Sequence, residues 1–273
     1  MIFSNFTSRV FGKIAAFTFP SFFQKIINKF YVSYFKIDMS EFKQSDEYES
    51  LNALFTRSLI KKRKLEKGLI SPSDGKILEL GKSFSNEYEN FAFSIKGFTY
   101  SINELLKNAY EKDELKNGLD YANIYLSPKD YHRFHSPFDM QILSATYNRG
   151  LLFSVSEKYL QKIANLYTKN ERIILKCLIN NDFLLWLIFV GAQNVGKMSF
   201  NFDESIKSNA KNSHDFVREY ENLFVKKGDE LGCFEMGSTI VLIAQRSKIK
   251  FSISANEKIK FGQKIADLNT NEN

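Results

Sequence analysis

Residues Phe183–Val190, with the sequence FLLWLIFV, form the longest apolar run in the chain. Eight residues is a common length for a β-strand, whereas a helix that crosses a membrane needs ~18 or more apolar residues in succession. The run therefore predicts a strand, and no segment of the sequence predicts a membrane-spanning helix.

From about residue 70 onward, the other apolar segments keep this strand length. They lie between polar or turn-forming residues, as strands of a β-rich body do. The predicted strands are Lys76–Leu80, Ala122–Leu126, Gln141–Tyr147, Arg172–Leu178, Phe183–Val190, Thr239–Ala244 and Ile249–Ser254.

Two helices are predicted outside the N-terminal region. Ser101-Ile-Asn-Glu104 has the spacing of a capping box, which satisfies N–H groups at the start of a helix, and two leucines follow it. Residues 45–59 carry apolar side chains at helical intervals, namely Leu51, Leu54, Phe55 and Leu59. The segment after them, Lys61–Lys67, is a run of charge that predicts a solvated turn.

The first 37 residues have a different composition. They contain no acidic residue, and most of the net charge of +7 lies in their basic residues, which are Arg9, Lys13, Lys25, Lys29 and Lys36. A basic excess confined to one terminal segment favours a membrane surface over nucleic acid as its partner. The apolar part of this segment is not followed by a small-residue cleavage site, so it does not read as a signal peptide.

Apolar residues in this segment recur at the three- and four-residue intervals of a helix. Before Pro20 they are Phe3, Phe6, Val10, Ile14 and Phe17, and after it they are Phe23, Ile26, Ile27, Phe30, Tyr31 and Tyr34. Because proline interrupts a helix, the pattern predicts two amphipathic helices that meet near Pro20. Two interpretations stay open: the apolar faces lie in an anionic lipid interface, or they pack on the rest of the protein.

The sequence as a whole predicts an α+β protein in which N-terminal amphipathic helices are followed by a β-rich catalytic body. We expect residues 1–60 to form a helical, membrane-associating arm and residues 61–273 to form the body. A length of 273 residues allows one large domain or two small ones. The two cysteines, Cys177 and Cys233, are too few for a disulfide framework and favour a reducing compartment.

Two of the three histidines lie close together, in Tyr131-His-Arg-Phe-His135-Ser-Pro137. His132 and His135 are candidates for proton transfer, because imidazole titrates near neutral pH. The plainer interpretation is a pair of ordinary turn histidines. A metal site is a third interpretation, although no further ligand is evident nearby, and His214 lies in a polar stretch that predicts a loop.

Two turns carry further candidates. Asp74 lies in Ser71-Pro-Ser-Asp-Gly-Lys76, and Ser238 follows Gly237 directly before an apolar strand. Taken alone, each is an ordinary turn. A third segment, Gly191–Lys197, matches a phosphate-binding loop except that Met198 replaces the Ser or Thr that binds Mg²⁺, and no helix is predicted after it. Nucleotide hydrolysis is therefore the least favoured function.

Together, these segments resemble the phosphatidylserine decarboxylases, pyruvoyl-dependent enzymes that are made as proenzymes. The resemblance runs from about residue 45 to residue 262, and its most specific parts are the His-x-x-His-x-Pro and Gly-Ser-Thr segments. The matching segments are Ser73–Lys76, Ser94–Gly97 with Tyr100–Ser101, Leu126–Pro137, Val190–Ala192 with Val195–Gly196, Lys227–Gly232 and Phe234–Thr239. The sequence departs from the family pattern at Met236, where bacterial members commonly have Leu or Phe, and at Asn194.

The resemblance implies self-cleavage between Gly237 and Ser238, which gives a large β chain of residues 1–237 and a small α chain of residues 238–273. Ser238 would attack the carbonyl of Gly237 and end as a covalent pyruvoyl group, the cofactor. His135 is implied as the base, with Asp74 as its partner, in one of the chain orders that unrelated folds use for such a constellation. His132 is implied as the proton donor that follows decarboxylation, and no metal is implied.

The implied reaction converts phosphatidylserine into phosphatidylethanolamine through a Schiff base to the pyruvoyl group, which serves as an electron sink. A lipid substrate favours the lipid-facing interpretation of the N-terminal helices. We expect a peripheral protein on the cytoplasmic side of the cell membrane, a homodimer of cleaved protomers, and no nucleic-acid partner. The alternative is a non-catalytic, membrane-associated β-rich binding module, which has no need for Asp74, His135 and Gly237-Ser238 in combination.

Overall fold

The computed structural model describes residues 2–85, 90–95, 98–192, 197–206, 208, 214–235 and 238–269. The α-helices in these ranges are α1 (Ile2–Ala16), α2 (Ser21–Phe35), α3 (Leu51–Phe55), α4 (Ile102–Leu106), α5 (Glu157–Leu160) and α6 (Leu166–Lys169). The strands are β1 (Leu69–Ile70), β2 (Gly75–Lys82), β3 (Phe84–Ser85), β4 (Asn90–Ile95), β5 (Phe98–Ser101), β6 (Leu119–Leu126), β7 (Arg133–His135), β8 (Met140–Asn148), β9 (Arg172–Ile179), β10 (Phe183–Val190), β11 (Met198–Phe200), β12 (Phe216–Val225), β13 (Glu230–Phe234), β14 (Ser238–Gln245), β15 (Ile249–Phe251), β16 (Lys258–Ile259) and β17 (Lys264–Leu268). The α+β prediction is confirmed.

The centre of the fold is an eight-stranded antiparallel sheet with the strand order β12-β8-β9-β10-β14-β6-β2-β16. Three smaller sheets have the orders β1-β17-β15, β11-β13-β7 and β3-β4-β5. Strand β14, which begins at Ser238, pairs with β10 on one side and with β6 on the other. The residue predicted to become the cofactor therefore starts a central strand.

The FLLWLIFV run is apolar throughout because its strand, β10, is covered on both faces. Leu185, Leu187 and Phe189 pack into one buried cluster together with Ile240 and Leu242 of β14. The alternate side chains Trp186, Ile188 and Val190 pack into a second cluster, which also contains side chains of α4 and α6. Successive residues of a strand point to opposite faces, so a strand between two cores needs no polar alternation.

The N-terminal helices α1 and α2 meet at Pro20, as predicted, and both contact α3. The side of α2 that faces the protein is polar at its centre. Gln24 and Asn28 are buried, the Gln24 amide donates to Asn28 Oδ1 (2.8 Å), and the Asn28 amide donates to the carbonyls of Ser45 (3.0 Å) and Tyr48 (2.8 Å).

The opposite side of α2 exposes its large apolar residues, which are Phe22, Phe23, Ile26, Phe30 and Tyr34. Helix α1 exposes Val10 and Ile14, and Phe17 is exposed directly after it. No helix within the described ranges is long and apolar enough to cross a membrane. These exposed side chains of α1 and α2 do not pack on the body, whereas Phe11 and Tyr31 of the same helices do. The helices therefore leave one apolar side uncovered, which the core-facing interpretation does not explain.

Two local predictions are wrong. The helix expected over residues 45–59 is divided into a 3-10 turn at Ser45–Glu47 and the short helix α3, because Asn28 binds carbonyls of this segment and Ser50 caps α3 by accepting from the Ala53 N–H (3.0 Å). The charge run at Lys61–Lys67 is not a solvated turn throughout. The Arg63 side chain is only 10 % exposed and forms ion pairs with Glu41 and Asp74.

Candidate active site

Three strand ends bring the predicted catalytic segments to one edge of the main sheet. Strand β2 begins directly after Asp74, β6 ends at Leu126 and leads into the histidine segment, and β14 begins at Ser238. The register pairs Ser238 with Leu126, and it pairs Lys76 with Tyr125, which is the neighbour of Leu126. Because neighbouring strands lie ~4.8 Å apart, these three ends are adjacent in space.

Backbone hydrogen bonds connect the same segments beyond the sheet. The His135 N–H donates to the carbonyl of Pro72, two residues before Asp74, at 2.8 Å. Phe234, which lies four residues before Ser238, donates its N–H to the carbonyl of His132 at 3.0 Å. The segments that carry Asp74, the two histidines and Ser238 are therefore held together by the main chain.

Ser238 is fully buried, and its hydroxyl oxygen has no hydrogen-bond partner among the described residues. A buried hydroxyl is normally paired, because leaving it unpaired costs ~1–3 kcal/mol. An unpaired buried hydroxyl is compatible with a reactive group, as it is with strain or with an ordered water. Gly237 and Met236, which precede Ser238, lie outside the described residues.

His135 is 6 % exposed and is held on both ring nitrogens. Its Nδ1 lies 3.0 Å from the carbonyl oxygen of Gly228, and its Nε2 lies 3.0 Å from the hydroxyl of Tyr131. A carbonyl only accepts, so Nδ1 carries the proton and Nε2 accepts from Tyr131. Burial lowers the pKa of His135 to about 4, so the imidazole is neutral at neutral pH, as a base must be.

Asp74 is held by an arginine and a backbone amide. Both Arg63 terminal nitrogens donate to its carboxylate, one of them at 3.0 Å, and the Phe261 N–H donates to Asp74 Oδ1 at 2.8 Å. Arg63 also donates to both oxygens of Glu41, at 2.8 and 2.9 Å. Hydrogen bonds to both carboxylates raise the pKa of Arg63 although burial opposes this, so the guanidinium stays charged.

Asp74 and His135 form no hydrogen bond with each other in the described structure, but they meet on Phe261. The His135 ring is stacked on the Phe261 ring, whose backbone amide donates to Asp74. A cavity of about 390 Å³ opens beside His135, and its polar lining includes Arg63, Lys227 and Glu230. The predicted base therefore borders a space that is large enough to admit part of a ligand.

His132 is fully buried, and only one of its ring nitrogens is paired. Its Nδ1 donates to the carbonyl of Asp130 at 2.8 Å, its ring packs on Phe55 with 4.0 Å between centroids, and Nε2 has no partner in the described part of the chain. Burial, assisted by the charge of Arg57, lowers the pKa of His132 to about 3. The resting side chain is thus neutral with a free lone pair on Nε2.

Comparison with known proteins places the chain in a family. The sequence model described as phosphatidylserine decarboxylase matches residues 51–267. The chain belongs to the phosphatidylserine decarboxylase family. It is 65 % identical to the phosphatidylserine decarboxylase proenzyme of Campylobacter jejuni, over 98 % of this chain and 100 % of that protein, and 46 % identical to that of Helicobacter pylori, over 98 % of each. The mitochondrial proenzyme of Rattus norvegicus is 32 % identical over 96 % of this chain and 71 % of that protein.

Membership of the phosphatidylserine decarboxylase family confirms the resemblance and the prediction of a decarboxylase. It does not test the roles of Asp74, His132, His135 and Ser238, which stay predictions. Asn194, one of the two departures from the family pattern, lies outside the described residues, as do the other residues of 193–196 within the glycine-containing segment Gly191–Lys197. No group of three or more potential metal-ligating side chains occurs in the described part of this decarboxylase.

Three residues that shape the site of this family member were not predicted from the sequence. Arg63 and Phe261 hold Asp74, and Arg57 lies beside His132. Arg63 lies in a run of charged residues that predicted a solvated turn, and Arg57 lies in a segment whose apolar residues predicted a helix. Phe261 lies more than 120 residues from His135 in the sequence. The signal available in the sequence was Arg57, a charged residue that lies between Phe55 and Leu59 of the helical apolar pattern.

Proposed function

We propose that the chain decarboxylates phosphatidylserine to phosphatidylethanolamine, with a pyruvoyl group that it makes from its own Ser238. One observation carries this proposal. The Ser238 hydroxyl is buried and unpaired among the described residues at the start of a central strand, in the position where the resemblance expects the processed serine. Its place beside the histidine segment suits a nucleophile that acts once on its own backbone.

The proposed cleavage starts with attack of Ser238 Oγ on the Gly237 carbonyl carbon. The C–N bond breaks as the C–O bond forms, so the peptide becomes an ester and the nitrogen of residue 238 becomes a free amine. Loss of the Cα proton with cleavage of the Cβ–Oγ bond then gives the Gly237 carboxylate and dehydroalanine. Water replaces the nitrogen, ammonia leaves, and the new N-terminus is a pyruvoyl group.

In the first step, we propose that His135 takes the proton of Ser238. Its neutral Nε2 is the competent atom, since Nδ1–H is fixed on the Gly228 carbonyl. This role requires Nε2 to exchange the Tyr131 hydroxyl for that of Ser238. Asp74 supports the base by anchoring Phe261, on which the imidazole is stacked, and by fixing Arg63 nearby.

The pyruvoyl group supplies a ketone that withdraws electrons from the substrate carbon as CO₂ leaves. The protein must then move protons. The substrate amine arrives as an ammonium ion and must lose a proton before it reacts. The unpaired Nε2 of His132 accepts that proton once the bound anionic headgroup raises its pKa from the value of about 3 that burial and the charge of Arg57 set. The same nitrogen returns it to the substrate carbon after decarboxylation. The apolar ring of Phe55 against His132 keeps water away from this proton.

We propose further that the arm attaches the enzyme to the membrane surface through the outward side of α2. Phe22 and Phe30 are about 70 % exposed there, while the polar Gln24 and Asn28 face the protein. This orientation is the reverse of an ordinary surface helix, which buries its apolar side. Exposed Lys25 and Lys29 on the same helix suit anionic headgroups. The cytoplasmic leaflet and the homodimer stay predictions, which protease protection of sealed vesicles and light scattering test.

The proposed function is tested by the intact mass of the purified protein together with CO₂ release from phosphatidylserine in mixed micelles. We expect two fragments, divided between Gly237 and Ser238. The small fragment should have the mass of residues 238–273 less the mass of one ammonia, because a pyruvoyl group replaces the N-terminal serine. The Ser238→Ala variant stays a single inactive polypeptide. An active preparation that remains one full-length polypeptide, or a cleaved one that releases no CO₂, contradicts the proposal.

A further inference from the structure

Arg57 is a buried arginine directly after α3, at the point where the arm helices contact the body. Its side chain is among the largest fully buried ones, with 2 % of the residue exposed, and its guanidinium lies 4.5 Å from the ring centroid of Phe42. One terminal nitrogen, Nη2, donates to the carbonyls of Lys129 (2.7 Å) and Asp130 (3.1 Å). The guanidinium is therefore held in one orientation.

The other two nitrogens of Arg57, Nε and Nη1, are buried and have no hydrogen-bond partner among the described residues. No carboxylate in the described ranges forms an ion pair with Arg57. Burial lowers its pKa, which reflects the cost of holding a cation away from water. A buried cation with unpaired donors is costly unless an anion completes it.

Arg57 and His132 are fixed by the same atom. The carbonyl oxygen of Asp130 accepts from Arg57 Nη2 and from His132 Nδ1, at 3.1 and 2.8 Å. The unpaired nitrogens of Arg57 and the unpaired Nε2 of His132 consequently belong to one small region. The hydroxyl of Tyr31, on α2, is also buried and without a described partner, and the charge of Arg57 acts on its pKa. Unpaired polar atoms thus surround α3 where the arm meets the body.

We infer that Arg57 binds the phosphodiester of the lipid headgroup and so places the reacting amino acid beside His132. This inference rests on the proposed function, because it takes phosphatidylserine as the substrate. Arginine matches phosphate oxygens well, and charge-assisted hydrogen bonds of this kind are stronger than neutral ones. Arg57 acts on Tyr31 of α2 and so lies where the arm contacts the body, the side from which a lipid headgroup would come if the arm binds the membrane as proposed.

The substrate carries a second anion, its carboxylate, and chemistry disfavours this group as the partner of Arg57. The carboxylate charge disperses as CO₂ leaves, so a strong ion pair would stabilise the ground state more than the transition state. The phosphodiester keeps its charge throughout the reaction. An arginine on the phosphodiester therefore adds affinity without opposing the bond cleavage.

The test compares Arg57→Met, Arg57→Lys and the matched control Arg218→Met, whose arginine forms an exposed ion pair with Asp203. Each variant is first checked for self-cleavage by mass. KM for phosphatidylserine is then measured in mixed micelles, and inhibition constants are measured for glycerophosphoserine and glycerophosphoethanolamine. The second inhibitor has the phosphodiester but no carboxylate.

We expect Arg57→Met to be cleaved and to raise KM and both inhibition constants by ~10- to 100-fold, the loss of one or two charge-assisted hydrogen bonds. Arg57→Lys restores part of the affinity, and Arg218→Met matches the unaltered protein. A rise for glycerophosphoserine alone would assign Arg57 to the carboxylate and overturn the inference, as would unchanged constants.

If neither Arg57 variant is cleaved, Arg57 serves folding or processing, and the inference is likewise wrong. If only Arg57→Met is not cleaved, the binding constants of Arg57→Lys test the inference instead. They should rise, because a single ammonium group cannot reproduce the guanidinium donors, and unchanged constants would overturn the inference. Failure of the proposed function is seen separately, because in that case the unaltered protein releases no CO₂.

Discussion

The imidazole of His135 lies flat on the ring of Phe261, with 3.6 Å between the ring centroids and 12° between the ring planes. The backbone N–H of Phe261 donates to Asp74 at 2.8 Å, and the Phe261 carbonyl accepts from Arg63 at 3.5 Å. One residue thus connects the predicted base to the predicted acidic partner. Phe261 belongs to the part of the sequence that follows Ser238, so both contacts join the two products of the proposed cleavage.

Replacement of Asp74 tests whether the carboxylate supports the base. We expect Asp74→Asn to slow self-cleavage by ~10²–10⁴-fold, the usual effect of impaired general-base catalysis, because Arg63 and Phe261 lose their charged anchor. The measurement is a time course of self-cleavage during cell-free synthesis. Glu41→Gln is the matched control, since Glu41 also pairs with Arg63 but makes no described hydrogen bond to Phe261. Cleavage of Asp74→Asn at the unaltered rate would contradict the role.

Replacement of Phe261 tests the indirect connection. Phe261→Leu keeps the backbone donor to Asp74 and removes the ring beneath His135. We expect cleavage about tenfold slower than in the unaltered protein, since an aromatic pair contributes ~1 kcal/mol and the base loses its fixed plane. Phe138→Leu, which removes an aromatic ring that contacts Lys227 rather than His135, serves as the control. Equal rates in both variants would show that stacking does not position the base.

The two histidines are expected to act at different stages. His135→Gln should not be cleaved, because the base for Ser238 is lost. His132→Gln should be cleaved but should lower kcat by ~10²–10⁴-fold, because Nε2 of His132 is the proposed carrier of the substrate proton. Mass spectrometry measures the first effect and CO₂ release the second. Normal turnover by cleaved His132→Gln refutes its role.

The outward side of α2 is expected to bind anionic vesicles. Phe22→Ser with Phe30→Ser should reduce co-sedimentation with vesicles that contain phosphatidylserine, without impairing folding or cleavage, because these rings are 70 % and 69 % exposed. Phe224→Ser is the matched control, since Phe224 is 66 % exposed on β12, an edge strand of the main sheet that is not part of the arm. If the double variant unfolds, or if it sediments like the control, the arm does not bind lipid through this side.

The buried histidines predict the pH dependence of stability. Their folded-state pKa values, about 3 for His132 and about 4 for His135, lie below the ordinary value of about 6.5, so the unfolded protein binds more protons. The free energy of unfolding should therefore fall by a few kcal/mol as the pH decreases from about 7 to about 4.

This pH dependence is measured by urea unfolding of the uncleaved Ser238→Ala variant. Adding His135→Gln should reduce this pH dependence, and the remainder is due to His132. Adding His214→Gln should leave it unchanged, because His214 is exposed. An equal slope in all three proteins would show that burial of His135 does not control the acid sensitivity.

The sequence predicted the strands that are buried on both faces, because their signal is local. The apolar run of β10 was predicted with its observed bounds, and β14 differs from its prediction by one residue at each end. Strand β12 was not predicted, since it lies at an edge of the main sheet and carries Arg218, Glu219 and Glu221 on a largely exposed surface. The apolar side chains of β12 pack on the core only partly buried, so the alternation that they leave in the sequence is weak.

The candidate residues were predicted by resemblance, but their hydrogen-bond partners were not. Arg63 holds Asp74, and Tyr131 and Gly228 hold His135. Asp74, implied as the partner of His135, is connected to it through Phe261 in the described structure. The bond between His135 and Gly228 spans 93 positions, and periodicity reports only neighbours along the sequence. The partners that set charge and orientation depend on such distant contacts.

The central position of β14 affects when the nascent polypeptide can complete the main sheet. Strands β10 and β6 leave the ribosome before β14, which must then enter the sheet between them. In the proposed maturation, Ser238 therefore reaches its base only after nearly the whole polypeptide has been synthesised, and we expect that a truncated translation product does not mature. Once the backbone is cut, the short fragment still occupies the middle of the sheet. Native chromatography should therefore never separate the two pieces, although denaturant should.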